Sequence, residues 1–401
     1  MLVPRLSPSF ETLDLLSVIC GGDEQNSVLQ FEDDLARYAG RRFALAFPMA
    51  RSGLNALIGA MGWRDREIIM PAYTCAVVAN VIIASGNRPV FVDIDTDTFN
   101  MQVDRLEAAL SPDTVAIIAT HMYGFPMNLK ELSVAVENRG DVMIIQDCAL
   151  ALGATSAGVP VHAHGAVALF SFSLGKQIST VEGGALVFDD QKLYRSVKRM
   201  RDNSFVAPPL RRYLLQYALL VAAHFGLTPP LYPFVMALKH HTRLLNIITD
   251  YYREDEIITA SNFYEHLPPF LARLGIRQLE KINNLLTVRK KNSDRLMAAA
   301  HQLPSLHCPN PPDGASWSHA PCLVENRTRF ISHMAAHGVQ VGTEVFNYAL
   351  PEMAVYKPYV DGNFDGAKRV AREIILLPNH PRLRASDLEL IETALWAWRT
   401  K

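Results

Sequence analysis

Lys176 stands in SFSLGKQISTVEGG (171–184), a run of small and hydroxyl residues that follows an apolar segment and ends on Gly183 and Gly184. A lysine held in a tight turn at the end of a buried strand loses proton affinity and becomes a nucleophile towards carbonyls, forming a Schiff base. Asp147 closes the apolar run VMIIQD (142–147). A lone carboxylate there is costly unless it faces a cation. Ser171 leaves the run VALFSFS five positions before the lysine. After FALAF (43–47), the turn PMARSGLNAL opens a helix with Ala50, Arg51 and Ser52 at its start. Backbone N–H groups and a guanidinium at a helix start suit a phosphate. One molecule would use all of these groups: pyridoxal phosphate, with its carbonyl, its ring nitrogen that must stay protonated, and its phosphate. Each residue alone also has a bland reading, as a surface charge or a helix cap. It is their order and convergence that select the cofactor.

The elements that must position these groups are legible as short apolar runs. Strand-like segments fall at 43–47, 67–72, 88–95, 115–121, 142–147, 167–173 and 184–189. They are apolar throughout, as strands buried on both faces are. Helical patterns lie between many of them, at 52–61, 74–84, 104–110 and 129–138. This alternation predicts an α/β fold with a largely parallel sheet, whose ligands sit beyond the carboxyl ends of the strands. The second half predicts a smaller α/β domain: a charged amphipathic helix over 278–296, a helix over 325–337 stopped by Gly338, a strand at VQV, and a last helix opened by a capping box at Ser386–Glu389. Leu388, Ile391, Leu395 and Trp398 would line one face of that last helix. The expected division is 1–255 for the large domain and 256–401 for the small one.

The 401 residues suffice for two cores, and a net charge of −1 offers no bulk field for nucleic acid. The five cysteines are scattered, with no zinc spacing, which suits a reducing cytoplasm better than a disulfide framework. No metal site is expected. No GxGxxG follows a strand, which sets aside a dinucleotide enzyme. One stretch stands apart: Tyr213 to Leu238 carries no charge, and Pro229, Pro230 and Pro233 break it. It reads as a buried interface or lid, or as a helical hairpin lying in a membrane surface with basic residues at the headgroups. A clean membrane span is excluded by the prolines.

The chain resembles the DegT/DnrJ/StrS family of sugar aminotransferases, pyridoxal phosphate enzymes of fold type I. SFSLGKQISTVEGG is similar to the family's SFxxxKxxxxGEGG, with Val181 in place of its first glycine. IIQDCALALGA (144–154), PAYTCAVVANVIIASGNRPVFVDID (71–95), FEDDLARYAG (31–40) and ILLPNHP (375–381) resemble further segments in the family's order. The resemblance implies that Lys176 holds the cofactor as an aldimine and shuttles protons, that Asp147 partners the pyridinium, and that Ser171 binds phosphate. Ala50 and Arg51 occupy the place of the family's Gly-Thr phosphate turn. Cys75 stands where an aromatic residue stacks on the ring, and Leu150 where the family has His or Gln. The family's NYRM segment falls at Tyr264–Leu267 without its Asn or Arg. The same resemblance implies an amino transfer from an amino acid, with glutamate the expected donor, to a keto-sugar carried on a nucleotide. It also implies a cytoplasmic homodimer that serves polysaccharide or glycoconjugate synthesis. Two further readings stand beside it. One is other pyridoxal phosphate chemistry, such as dehydration; the family's dehydratases carry histidine at the lysine position. The other is a non-catalytic protein at a membrane-bound polysaccharide assembly.

Overall fold

The computed structural model describes residues 2–19, 24–228, 231–235, 256–257, 262–343 and 347–398. The expected runs form one seven-stranded sheet: β1 (Phe43–Phe47), β2 (Glu67–Pro71), β3 (Arg88–Val92), β4 (Thr114–Thr120), β5 (Met143–Asp147), β6 (Val167–Ser171) and β7 (Gly184–Phe188). The spatial order is β1-β7-β6-β5-β4-β2-β3. Only β7 runs against its neighbours; every other pair inside the sheet is parallel. Each strand except β7 therefore delivers its last residue to the same edge, and β7 starts there. Helices cover both faces, which is why the strands carry apolar side chains on both. Leu45, Ile68, Ile118 and Leu186 face one cluster of core residues, and Ala44, Ile69, Ile117 and Val187 face the other.

Two helices begin at that edge: α3 (Ala50–Met61) after β1 and α4 (Ala76–Ala84) after β2. Two lie before the sheet in sequence, α1 (Thr12–Ile19) and α2 (Glu24–Ala39). β7 approaches α3 so closely that a Cβ on Gly184 would sit 2.1 Å from the Ala50 nitrogen. Only glycine fits there.

The C-terminal half departs from expectation in three places. The run at 278–296 is not one helix but the end of Pro269–Leu279 and most of Ile282–Ala300. The first piece packs on α2, where a Cβ on Gly275 would reach within 2.5 Å of Phe31. The second packs on the final helix. Two partners in different directions break the run at Lys281, whose ammonium pairs with Asp14 at 2.5 Å. VQV forms no strand. Val339 makes a single bridge to Val3, and the pairing with Ile374–Leu377 is made by Ala320–Leu323. The last helix starts at Ala385, before Ser386, and its cap is Asp387 accepting from the Arg384 N–H at 2.9 Å. Its Leu388, Ile391, Leu395 and Trp398 are buried as expected. Cys308 and Cys322, read as dispersed, meet with their sulfurs 2.7 Å apart in the core.

Candidate active site

The lysine is delivered by a turn. Ser171 ends β6, the chain leaves the sheet, and the Lys176 N–H returns to the Ser173 carbonyl at 3.2 Å. Gly175 is the third residue of that turn, at φ +91°, where a side chain would be strained. Gln177 then locks the loop. Its side-chain amide donates to the Leu150 carbonyl at 2.8 Å and to Ser316 Oγ at 3.2 Å, and its own carbonyl accepts from Ser9 Oγ at 3.0 Å. Thr180 N–H returns to the Phe172 carbonyl, and Val181 takes φ +70° before Gly183 bridges Met49. The valine thus adopts the left-handed backbone that the family's glycine takes without strain.

Asp147 ends β5 and is buried. One carboxylate oxygen accepts from the Ala149 N–H at 3.0 Å, and the other lies 3.5 Å from Thr120 Oγ1. Burial pushes its carboxyl above the usual range, opposed by the Ala149 N–H and the Lys176 charge. Burial pushes Lys176 below the usual lysine range, opposed by Cys75 and Asp147. Cys75, the residue before α4, has its thiol pushed up by burial, with Lys176 and Arg51 pulling against it. The edge therefore gathers Lys176, Asp147, Cys75 and Arg51 within electrostatic reach of one another. Ala50 and Arg51 form the first turn of α3, whose start has no side-chain cap. Ser171 Oγ lies 3.3 Å from Ser173 Oγ.

Four features escaped the sequence reading. Ser52 Oγ, in the first turn of α3, is fully buried with no hydrogen-bond partner among the described residues. Tyr73 and Tyr123 are both buried, with their hydroxyls 2.7 Å apart. Tyr123 holds φ +58°, a strain that clusters at functional sites. His319 packs edge-on to Tyr123, and burial first and Lys176 second hold it well below the ordinary histidine range. Gln177 is the fourth. The one signal for any of them was adjacency, Gln177 to Lys176 and Ser52 to Arg51. The LPNHP stretch is scaffolding: Asn379 accepts from Arg289 at 3.1 Å and donates to Trp317 O and Ser293 Oγ, and His380 meets the Pro4 carbonyl. Leu150 is buried in the core, and its carbonyl serves Gln177. Tyr264 is exposed, 3.3 Å from Asn55.

The arrangement suits a ligand with an electrophilic carbon near Lys176 and an anionic group at the start of α3. Comparison with known proteins gives the family. An uncharacterized protein of Methanocaldococcus jannaschii is 27% identical over 372 residues, covering 90% of this chain and 86% of its own. The GDP-perosamine synthase of Caulobacter vibrioides is 34% identical over 187 residues, which is 46% of this chain and 50% of that protein. The solved E. coli GDP-4-keto-6-deoxy-D-mannose-3-dehydratase with bound hydrated PLP superposes with a TM-score of 0.75 at 21% identity, over 98% of this chain and all of that one. The family match itself runs over residues 21–395, nearly the whole chain. On that match, over a fold-type-I sheet, the chain belongs to the DegT/DnrJ/EryC1/StrS aminotransferase family.

Proposed function

We propose that the chain transfers an amino group from an amino acid, glutamate foremost, to the ketone of a nucleotide-linked sugar, with pyridoxal phosphate held at Lys176. The observation that carries this reading is the half-buried Lys176 within electrostatic reach of the buried Asp147 at the shared strand-end edge. The residues fit the cofactor. Ser52 Oγ is an orphaned buried hydroxyl in the first turn of α3, beside helix-start amides and Arg51, as a phosphate site needs. Ser171 and Ala50 flank it from β6 and α3. Asp147 supplies a carboxylate for a protonated ring nitrogen, and Cys75 takes the place beside the ring.

When bound, pyridoxal phosphate supplies the electron sink for the bond broken at the donor's α-carbon. The chain's own residues do the rest. Lys176, driven by burial towards the neutral amine, takes a proton at Nζ and returns it to another atom of the same site. Asp147 holds negative charge opposite, fixed by the Ala149 N–H. The turn at Ser173–Lys176 and the Gln177 clamp keep Nζ on station. His319, held neutral by burial, packs on Tyr123 of the buried Tyr73–Tyr123 pair.

The remaining expectations belong to the same proposal. The protein acts in the cytoplasm as a homodimer, in polysaccharide or glycoconjugate synthesis. The sheet layer (1–255) and residues 256–401 form its large and small domains. The test is a half-reaction. Protein loaded with pyridoxal phosphate and given L-glutamate should form 2-oxoglutarate and pyridoxamine phosphate in equal amounts. No keto acid from any amino acid tried would overturn the assignment.

A further inference from the structure

The helix Leu210–Gly226 is apolar on its outward face. Its inward face is mixed: Leu220 is fully buried and Tyr217 stacks on Phe270, beside polar anchors. Arg212 and Gln216 donate to the Glu182 carboxylate at 2.6–2.7 Å, and His224 meets Thr12 Oγ1 at 3.1 Å and stacks on Phe10. Its outward face is apolar: Leu214 is 62% exposed, Val221 38% and Phe225 50%, with Ala218 and Ala222 between them. A surface helix of a globular protein keeps its outward face polar. The band continues beyond the helix. Leu13 (72% exposed) and Leu16 lie on α1, which packs beside His224, and Leu231 and Phe234 (71%) follow the helix. Exposed apolar side chains gathered in this way mark a contact surface.

Charge selects the occupant. From Asn203 to Thr249 the chain has no acidic residue, while Arg211, Lys239 and Arg243 flank its apolar stretch. A second copy docked face to face would set this cationic stretch against itself, with no acid in it to answer. A bilayer surface of anionic lipid answers both the apolar band and the basic flanks. Among the described residues no helix is long and apolar enough to cross a membrane, so the geometry is one of lying on the surface. We propose that the outward face of Leu210–Gly226, with Leu13, Leu16 and Phe234, seats the protein on an anionic lipid surface. This does not rest on the aminotransfer reading, and vesicle binding is read without turnover.

The full chain is to be floated with vesicles of equal parts phosphatidylcholine and phosphatidylglycerol, and with phosphatidylcholine alone. The expected result is co-flotation with the anionic vesicles, weakened by raising salt to about 0.5 M. The triple variant Leu214→Asp, Val221→Asp, Phe225→Asp should lower the partition coefficient by about a hundredfold or more while leaving the glutamate half-reaction unchanged. Val134→Asp, an exposed apolar residue on a different helix, should not. Should the triple variant fail to fold, Phe225→Trp gives a second reading: its emission, taken against the parent protein, should shift to the blue with anionic vesicles. No flotation of the parent chain overturns the proposal. So does a triple variant that floats like the parent, a Phe225→Trp emission that stays put, or a variant that changes only the oligomeric mass.

Discussion

Lys176 owes its chemistry to burial and to the turn that delivers it. Desolvation lowers its proton affinity, and Cys75 and Asp147 restore part of it. On the proposed mechanism, Lys176→Ala removes both the covalent anchor and the proton carrier, and should lower the half-reaction rate by about a thousandfold or more. Stopped-flow absorbance with L-glutamate checks this. Asp147→Asn keeps the Ala149 contact geometry but removes the charge. It should leave cofactor binding measurable and lower the rate by about a hundredfold or more. A variant with parent-like kinetics would remove Asp147 from the mechanism. A third prediction concerns His121, buried beneath the same edge. Met127 N–H donates to its Nδ1 at 3.0 Å, so the proton sits on Nε2 and is donated to Gln146 Oε1 at 2.9 Å. Burial pushes this imidazole down to about 4. Its 15N resonances should show the neutral Nε2–H form without change from pH 7 to pH ~5.

At the scale of elements, the loop from Lys176 to β7 is tied to the helix Leu210–Gly226 by one carboxylate. Glu182 accepts from Arg212, Gln216 and Asn262. Glu182→Ala removes the acceptor shared by Arg212, Gln216 and Asn262, leaving Arg212 only Glu265, and should cost roughly 1–3 kcal/mol. Hydrogen exchange should rise in 210–226 and in the lysine loop together. Protection lost in one and kept in the other would separate the two elements. All seven strands were legible in the sequence, because strands buried on both faces have no polar alternation to confuse them with helices. The ends of β1, β5 and β6 were legible for the same reason: Arg51, Asp147 and Lys176 interrupt or follow apolar runs where no charge is otherwise tolerated. What was not legible depends on partners distant in sequence. The break at Lys281 needs Asp14, some 267 residues away. Ser52 looked like any helix-start serine until its hydroxyl proved to be buried without a partner. The Tyr73–Tyr123 pair joins two strand ends, and nothing in either local sequence announces it.

Across the whole molecule, histidines held neutral by burial shape the response to acid, His121, His162, His380 and His319 foremost. Burial holds His121 and His162 at about 4 and His380 at about 3. All lie below the value of about 6.5 expected for the unfolded chain. The unfolded state therefore binds protons that the folded state refuses, so stability is full above that value and falls as pH drops through the window from about 6.5 to about 4. Each histidine contributes a loss of roughly 1.4 kcal/mol per pH unit in that window. Urea midpoints measured from pH 7.5 to pH ~4.5 should fall steadily. His162→Gln should flatten the slope by about a quarter or less, as one of at least four such groups. A midpoint that holds level to pH ~5 would contradict the burial of these rings.

The chemistry of the site depends on separate strand ends converging so that Lys176 meets the cofactor. Borohydride reduction of the protein after incubation with pyridoxal phosphate, followed by peptide mass mapping, tests this directly. The expected result is a single phosphopyridoxyl group on Lys176, in the peptide that spans SFSLGKQISTVEGG. A label on another lysine, or none at all, would contradict it.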